Sequence, residues 1–198
     1  MSVKIAPALT QRQPPIVTRT IQFALLTITI SLTTGCTIFG DDPHQRTPGV
    51  IIDDNVLENL VESEIRKSDP GFKGSHLVVV AYNGLVLLAG QVPSEALREK
   101  ANVTTQALRR VSKVHNELSI GGPTSIMART NDGWLTSKVK SRLVANKEIN
   151  GSKIKVQTEN GVVFLLGLVS RAQADRAVAV ASKVYGLQKI VKVFEYTD

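Results

Sequence analysis

The sequence predicts an α+β protein built from two tandem copies of one small domain. Each copy has the order α-β-β-α-β, with two helices on one face of a three-stranded mixed sheet. Three observations predict this. The stretch from Val79 to Gly90 matches the stretch from Val156 to Gly167 at an offset of 77, with Asn83-Gly84 over Asn160-Gly161 and Gly90 over Gly167. Upstream, Leu57, Val61 and Ile65 match Leu135, Val139 and Leu143 at an offset of 78, so one loop residue separates the two registers. Within each copy the apolar pattern passes from helix period to strand run and back. A period this long exceeds that of a solenoid repeat and marks a duplicated domain.

The elements follow in order. Residues 55–67 and 132–145 carry apolar residues at i, i+4 and i+8, the buried stripe of an amphipathic helix. Asp54 and Asn131 are the expected N-caps. Two β-rich runs come next, joined by Asn83-Gly84 and Asn160-Gly161, because a type I′ hairpin turn needs φ > 0 at both central residues. Gly90 and Gly167 are expected to end the second strands where a side chain would crowd its neighbour. Second helices are predicted from Ser94 to Arg110 and from Ser170 to Tyr185, both rich in Ala, Arg, Gln and Glu. Closing strands run from Val111 to Ile120 and from Leu187 to Tyr196, with Phe194 and Tyr196 expected on an outer face. The resulting domains are 53–120 and 131–198, separated by a linker over 121–130 that contains Gly121-Gly122-Pro123. At roughly 65 residues each they are near the lower limit for independent folding, which favours packing of one against the other.

Ahead of the repeat lies a different kind of segment. Lys4, Arg12 and Arg19 precede an apolar stretch from Ile21 to Leu32, with no acid before Asp41. That stretch is too short to cross a bilayer, which needs about 20 residues, and suits the apolar core of an export signal. Thr33-Thr34-Gly35-Cys36 follows, and a small residue before the only cysteine resembles the lipobox of bacterial lipoproteins. By that resemblance residues 1–35 are a signal peptide, Cys36 receives the lipid, and 36–52 form a polar tether. Thr33 stands where the lipobox usually has Leu, so a plain signal peptide with an incidental cysteine is the competing reading. Thr37 after the cysteine, by the same family rules, favours the outer membrane over the inner one.

The helix, the Asn-Gly hairpin ending in Leu-x-Gly, the Ala-rich second helix and the closing Val-x-x-Val strand together resemble the BON domain. The likeness covers about Asp53 to Asp198 and is most specific over 131–141 and 158–169. Two such domains behind a lipobox are similar to the dual-BON lipoproteins associated with division sites and outer-membrane stress. The resemblance implies a periplasm-facing, non-enzymatic protein whose second domain binds anionic phospholipid through its first helix.

Charge is distributed in the direction that implication needs. The whole chain carries a net charge of +7. Over 53–120, 8 Lys and Arg stand against 9 Asp and Glu; over 131–198, 11 stand against 6, so the copies differ as −1 and +5. Such asymmetry between duplicated halves suggests divided work. The first helix of the second copy has Lys138, Lys140 and Arg142, with acid only at Asp132, near the expected helix start. Trp134, the one Trp of the chain, replaces Val56 of the first copy and shares a stripe with Lys138 and Arg142 beside the buried one. Trp134, Leu135, Lys138, Lys140 and Arg142 are therefore the expected lipid-binding residues, the indole among headgroups and the cations on phosphate. The alternative is that Trp134 edges the core and the cations are an ordinary solvated face.

Other chemistry has little to stand on. His44, His76 and His115 come with no recognisable Cys, Ser or carboxylate constellation, and Gly121-Gly122-Pro123 lacks the lysine and helix of a phosphate loop. No catalytic site, metal or cofactor is expected. Nucleic acid is not an expected partner, because the segment is exported and no row of aromatics is available to stack bases. A monomer is expected. The rival function is a protein-interaction adaptor for outer-membrane assembly machinery, with the basic face on an acidic partner.

Overall fold

The computed structural model of the chain describes residues 47–198. The predicted signal peptide, Cys36, His44 and the predicted tether as far as Arg46 lie outside the described residues. The first domain comprises α1 (Pro48–Ser68), β1 (His76–Tyr82), β2 (Leu85–Val92), α2 (Glu95–Gln106) and β3 (Lys113–Ile120). The second repeats the order with α3 (Ile126–Ala145), β4 (Lys155–Glu159), β5 (Val162–Val169), α4 (Arg171–Ala181) and β6 (Lys189–Tyr196). Each sheet is mixed: the first hairpin is antiparallel and the closing strand lies parallel to its second strand, in the orders β1-β2-β3 and β4-β5-β6.

Local chemistry accounts for the turns and helix starts. Asn83 (φ 51°) and Gly84 (φ 83°), like Asn160 (φ 48°) and Gly161 (φ 72°), hold the two left-handed positions the hairpins require. Ser94 and Ser170 cap α2 and α4, and Ser170 forms a reciprocal box with Gln173. The first helices begin earlier than their periodicity predicts. Thr47 and Ser125, rather than Asp54 and Asn131, cap α1 and α3 by accepting from Val50 N and Ala128 N. The first turns of both helices bury almost nothing, so no apolar stripe betrays them. The tether predicted to reach Ile52 thus ends at Thr47, and the second half of the predicted linker is helix.

Both faces of each sheet are covered. On one face, Leu57, Val61 and Ile65 of α1 pack over Val86, Leu88 and Ala101, and Leu135, Val139 and Leu143 of α3 pack over Val163, Leu165 and Ala177. On the other face the two sheets meet: Val80, Tyr82, Leu85, Leu87 and Ala89 form one core with Phe164, Leu166 and Val193. Burial on both sides explains why β2 and β5 read as continuous apolar runs instead of alternating ones. It also reverses one expectation. Phe194 does not face outward but joins the helix-side core, while Val191 and Val193 meet the other sheet.

Polar contacts seal this joint at its edges. Glu159, 7% exposed, accepts from Gln91 Nε2 at 3.0 Å and lies 3.2 Å from His76 Nε2. Lys155 Nζ meets Glu58 Oε1 at 2.5 Å, and Tyr82 Oη donates to the Lys153 carbonyl at 2.9 Å. Gly90 and Gly167 lie two residues inside their strands, not at the ends. A methyl on Gly90 (φ 109°) would overlap the His76 carbonyl, and one on Gly167 would come within 3.0 Å of the Lys153 carbonyl.

Candidate functional site

Helix α3 has three working sides. The central one, Leu135, Val139 and Leu143, is fully buried. The flank toward β4 is held by hydrogen bonds. Asp132 accepts from Asn160 N at 2.8 Å and Gly161 N at 2.9 Å, and Thr136 Oγ1 donates to Thr158 Oγ1 at 2.8 Å. Lys140 Nζ donates to the carbonyls of Gly151 and Ile154 at 3.0 and 2.6 Å. These three side chains, one turn apart, fix the rotation of the helix about its axis. The opposite flank is thereby turned to solvent.

That outward flank carries Trp134, Lys138 and Arg142. Trp134 is 51% exposed, and Lys138 Nζ lies 3.8 Å from the centroid of its ring. A cation over an indole at an exposed site contributes ~0.5–1 kcal/mol and holds the ammonium beside the ring. Arg142 donates through one guanidinium nitrogen to the Lys183 carbonyl at 2.9 Å, leaving most of its donors available. Among the described residues, no carboxylate forms an ion pair with Lys138 or Arg142.

Two predicted members are placed elsewhere. Leu135 belongs to the core, on the side of the helix that no external ligand reaches. Lys140 is occupied by two backbone carbonyls, and burial pulls its ammonium below the usual lysine range. It is a structural group; a lysine at that wheel position looks like a surface cation until its carbonyl partners are known. In their place the flank gains Met127, 79% exposed, in the first turn of the helix. Met127 is two helical turns before Trp134, a spacing visible in the sequence once the helix is known to begin at Ile126.

The corresponding flank of α1 has the same geometry and different chemistry. Val56 and Leu60 stand where Trp134 and Lys138 stand in α3, and Glu64 at the Arg142 position is paired with Lys67 at 2.9 Å. Asp54, the counterpart of Asp132, sits inside α1 and accepts from Asn83 N and Gly84 N. The hairpin anchor is thus kept in both copies, and the outward flank is not.

Residues 53–122 and 131–198 match the family model of the BON domain. The chain belongs to the BON-domain family. It is 39% identical over 153 residues to the outer membrane lipoprotein DolP of Haemophilus influenzae, covering 77% of this chain and 79% of that one. It is 40% identical, with the same coverage, to a 21 kDa hemolysin of Actinobacillus pleuropneumoniae. Osmotically-inducible protein Y of Escherichia coli is 29% identical over 152 residues, three quarters of each chain. Both BON domains of this chain show the expected architecture, helices on one face of a mixed three-stranded sheet.

Proposed function

We propose that this BON protein is a lipid-anchored outer-membrane protein facing the periplasm, which binds anionic phospholipid through the outward flank of α3. On this reading it supports envelope integrity and catalyses no reaction. Cys36, in its lipobox-like setting, supplies the anchor. The Haemophilus relative is an outer membrane lipoprotein, which supports the location. Among the described residues no helix is long and apolar enough to cross a membrane.

The binding reading rests on one arrangement: an exposed indole with a cation on its face, flanked by a second cation, with no carboxylate among the described residues paired to either. An indole favours the headgroup layer of a bilayer, and the cations meet phosphate there. Each Lys or Arg near an anionic surface contributes ~1 kcal/mol, giving weak, salt-sensitive contact. An anchor in the same membrane raises the effective concentration enough for weak contact to suffice.

Because Trp134 is the only Trp, the full lipidated chain reports on its own docking. In vesicles containing phosphatidylglycerol its emission shifts to the blue and is quenched by brominated acyl chains; salt or Lys138→Glu reverses both. Identical emission in anionic and neutral vesicles would refute the proposal. One observation favours a second reading, the adaptor for assembly proteins. Ile52, Val56 and Leu60, one turn apart on α1, are 62%, 51% and 40% exposed with no cation among them. Salt-insensitive capture of a single protein, lost on Val56→Asp, would favour that reading.

A further inference from the structure

We infer that the loop 182–187, between α4 and β6, is a second element of the same membrane-docking surface, with Tyr185 entering the headgroup layer and Lys183 meeting lipid phosphate. This inference rests on the lipid-binding reading of α3 and extends it to residues outside that helix.

Three observations carry it. Tyr185 is 96% exposed, yet the loop bearing it is firmly held: Val184 on one side is buried and Leu187 on the other packs against the core. The loop also lies along α3. Arg142 donates to the Lys183 carbonyl at 2.9 Å, and a methyl at Gly186 would stand 3.5 Å from Leu135 Cδ2. Contacts at 142 and 135 place the loop beside the Trp134–Arg142 side of the helix, away from the flank engaged with β4. Lastly, the charge is of one sign. Lys183, Arg142 and Lys138 have no ion pair among the described residues, and the only acid of α3, Asp132, is buried on the opposite flank.

A lone exposed tyrosine is unremarkable on any surface. Here its backbone lies between buried Val184 and the partly buried Leu187, in a loop that touches α3 at Leu135 and Arg142. An amphipathic ring with a hydroxyl tip suits the interface of an anionic bilayer. On this inference the Arg142 donors not used by the Lys183 carbonyl, and the Lys183 ammonium, meet lipid phosphate.

The test uses the full lipidated chain in vesicles of graded phosphatidylglycerol content, with Trp134 emission as the readout. Tyr185→Ser and Lys183→Gln are each expected to lower the docked-to-undocked ratio at fixed composition by about five-fold. Tyr185→Phe should stay near the parent chain, and so should Val103→Ser, which removes an exposed apolar side chain of α2. All three positions are exposed, and unchanged thermal melting verifies folding. A ratio unchanged in both Tyr185→Ser and Lys183→Gln, with the parent chain responding, overturns the inference and leaves the α3 reading standing. A parent chain that does not respond to anionic lipid overturns both.

Discussion

Asp132 holds the hairpin of the second domain from inside a helix, and its removal should be costly. In a type I′ turn the two central N–H groups are not used by the strand ladder. Here the Gly161 N–H is buried and the Asn160 N–H partly so beside α3, and both donate to one carboxylate at 2.9 and 2.8 Å. Asp132 itself is only 4% exposed. Hydrogen bonds to a charged group contribute ~1.5–3 kcal/mol each, and a shielded donor left without a partner costs about 1–3 kcal/mol. Some water would enter the space left by truncation, so Asp132→Ala should destabilise by about 3–5 kcal/mol in total. Asn keeps one acceptor and replaces the other with a donor facing an N–H, so Asp132→Asn should lose at least half as much. For a unit of this size each kcal/mol moves the midpoint by about 2–4 °C, so Asp132→Ala should melt roughly 6–20 °C lower. Urea unfolding followed by circular dichroism, with the slope checked for constancy, gives the same quantity. A loss below about 1 kcal/mol would show that the two N–H groups are satisfied by solvent and that the carboxylate is dispensable.

Other substitutions follow from the same geometry. Gly90→Ala, which drives a methyl into the His76 carbonyl at φ 109°, should destabilise by about 2–4 kcal/mol in urea titration. Gly133→Ala should do the opposite by about 0.5–1 kcal/mol, because the site is an exposed helix interior with open space around it. Glu159→Ala leaves Gln91 and His76 without their shared acceptor across the sheet-to-sheet joint and should cost about 2–3 kcal/mol, with faster hydrogen exchange along β1 and β4. Burial first, and the charge of Lys113 second, outweigh Glu117 and hold the His115 imidazole below its usual range; its Nε2 is enclosed without a partner. The unfolded chain therefore takes up this proton more readily than the folded one, so the stability is fully present above about pH 6.5 and lost as pH falls through the lower folded value. Melting temperatures between pH 8 and 5 should show a shallower acid-side decline in His115→Gln.

What was legible in the sequence depended on how local its cause is. The Asn-Gly turns, the starts of α2 and α4 at Ser94 and Ser170 and the buried stripes of α1 and α3 are decided by residues within a few positions of one another, and they stand as read. Helix starts were misread because the first turns of α1 and α3 face solvent all round and leave no periodic mark. Asp54 looks like a cap from sequence because its true partners, Asn83 and Gly84, are 29 and 30 residues away in the chain. The inner face of β6 was assigned to the wrong parity because two opposite apolar faces give no polar residue to mark the outside. At the candidate site, Trp134, Lys138 and Arg142 were legible as a stripe. Lys140 was not separable from them, since its carbonyl partners belong to a turn and strand start 11 and 14 residues on.

The back-to-back packing of the sheets explains why the two copies could diverge where they did. Joining the sheets uses the face of each domain opposite its helices, so both helical layers remain outermost. On each first helix, the central stripe is constrained by the core and the β-edge flank by hydrogen bonds to the sheet. Only the third flank is free of both demands, and that is where Trp134 and Lys138 replace Val56 and Leu60. A consequence separates stability from binding by position. Substitutions at Asp132 or Lys140 should lower stability while leaving the charge of the exposed flank unchanged or nearly so. Substitutions at Trp134, Lys138 or Tyr185 should change vesicle docking at constant melting temperature. A variant of Lys138 that both unfolds the domain and weakens docking would place that ammonium in the packing rather than on the ligand side, and the division between the two copies would then be one of stability.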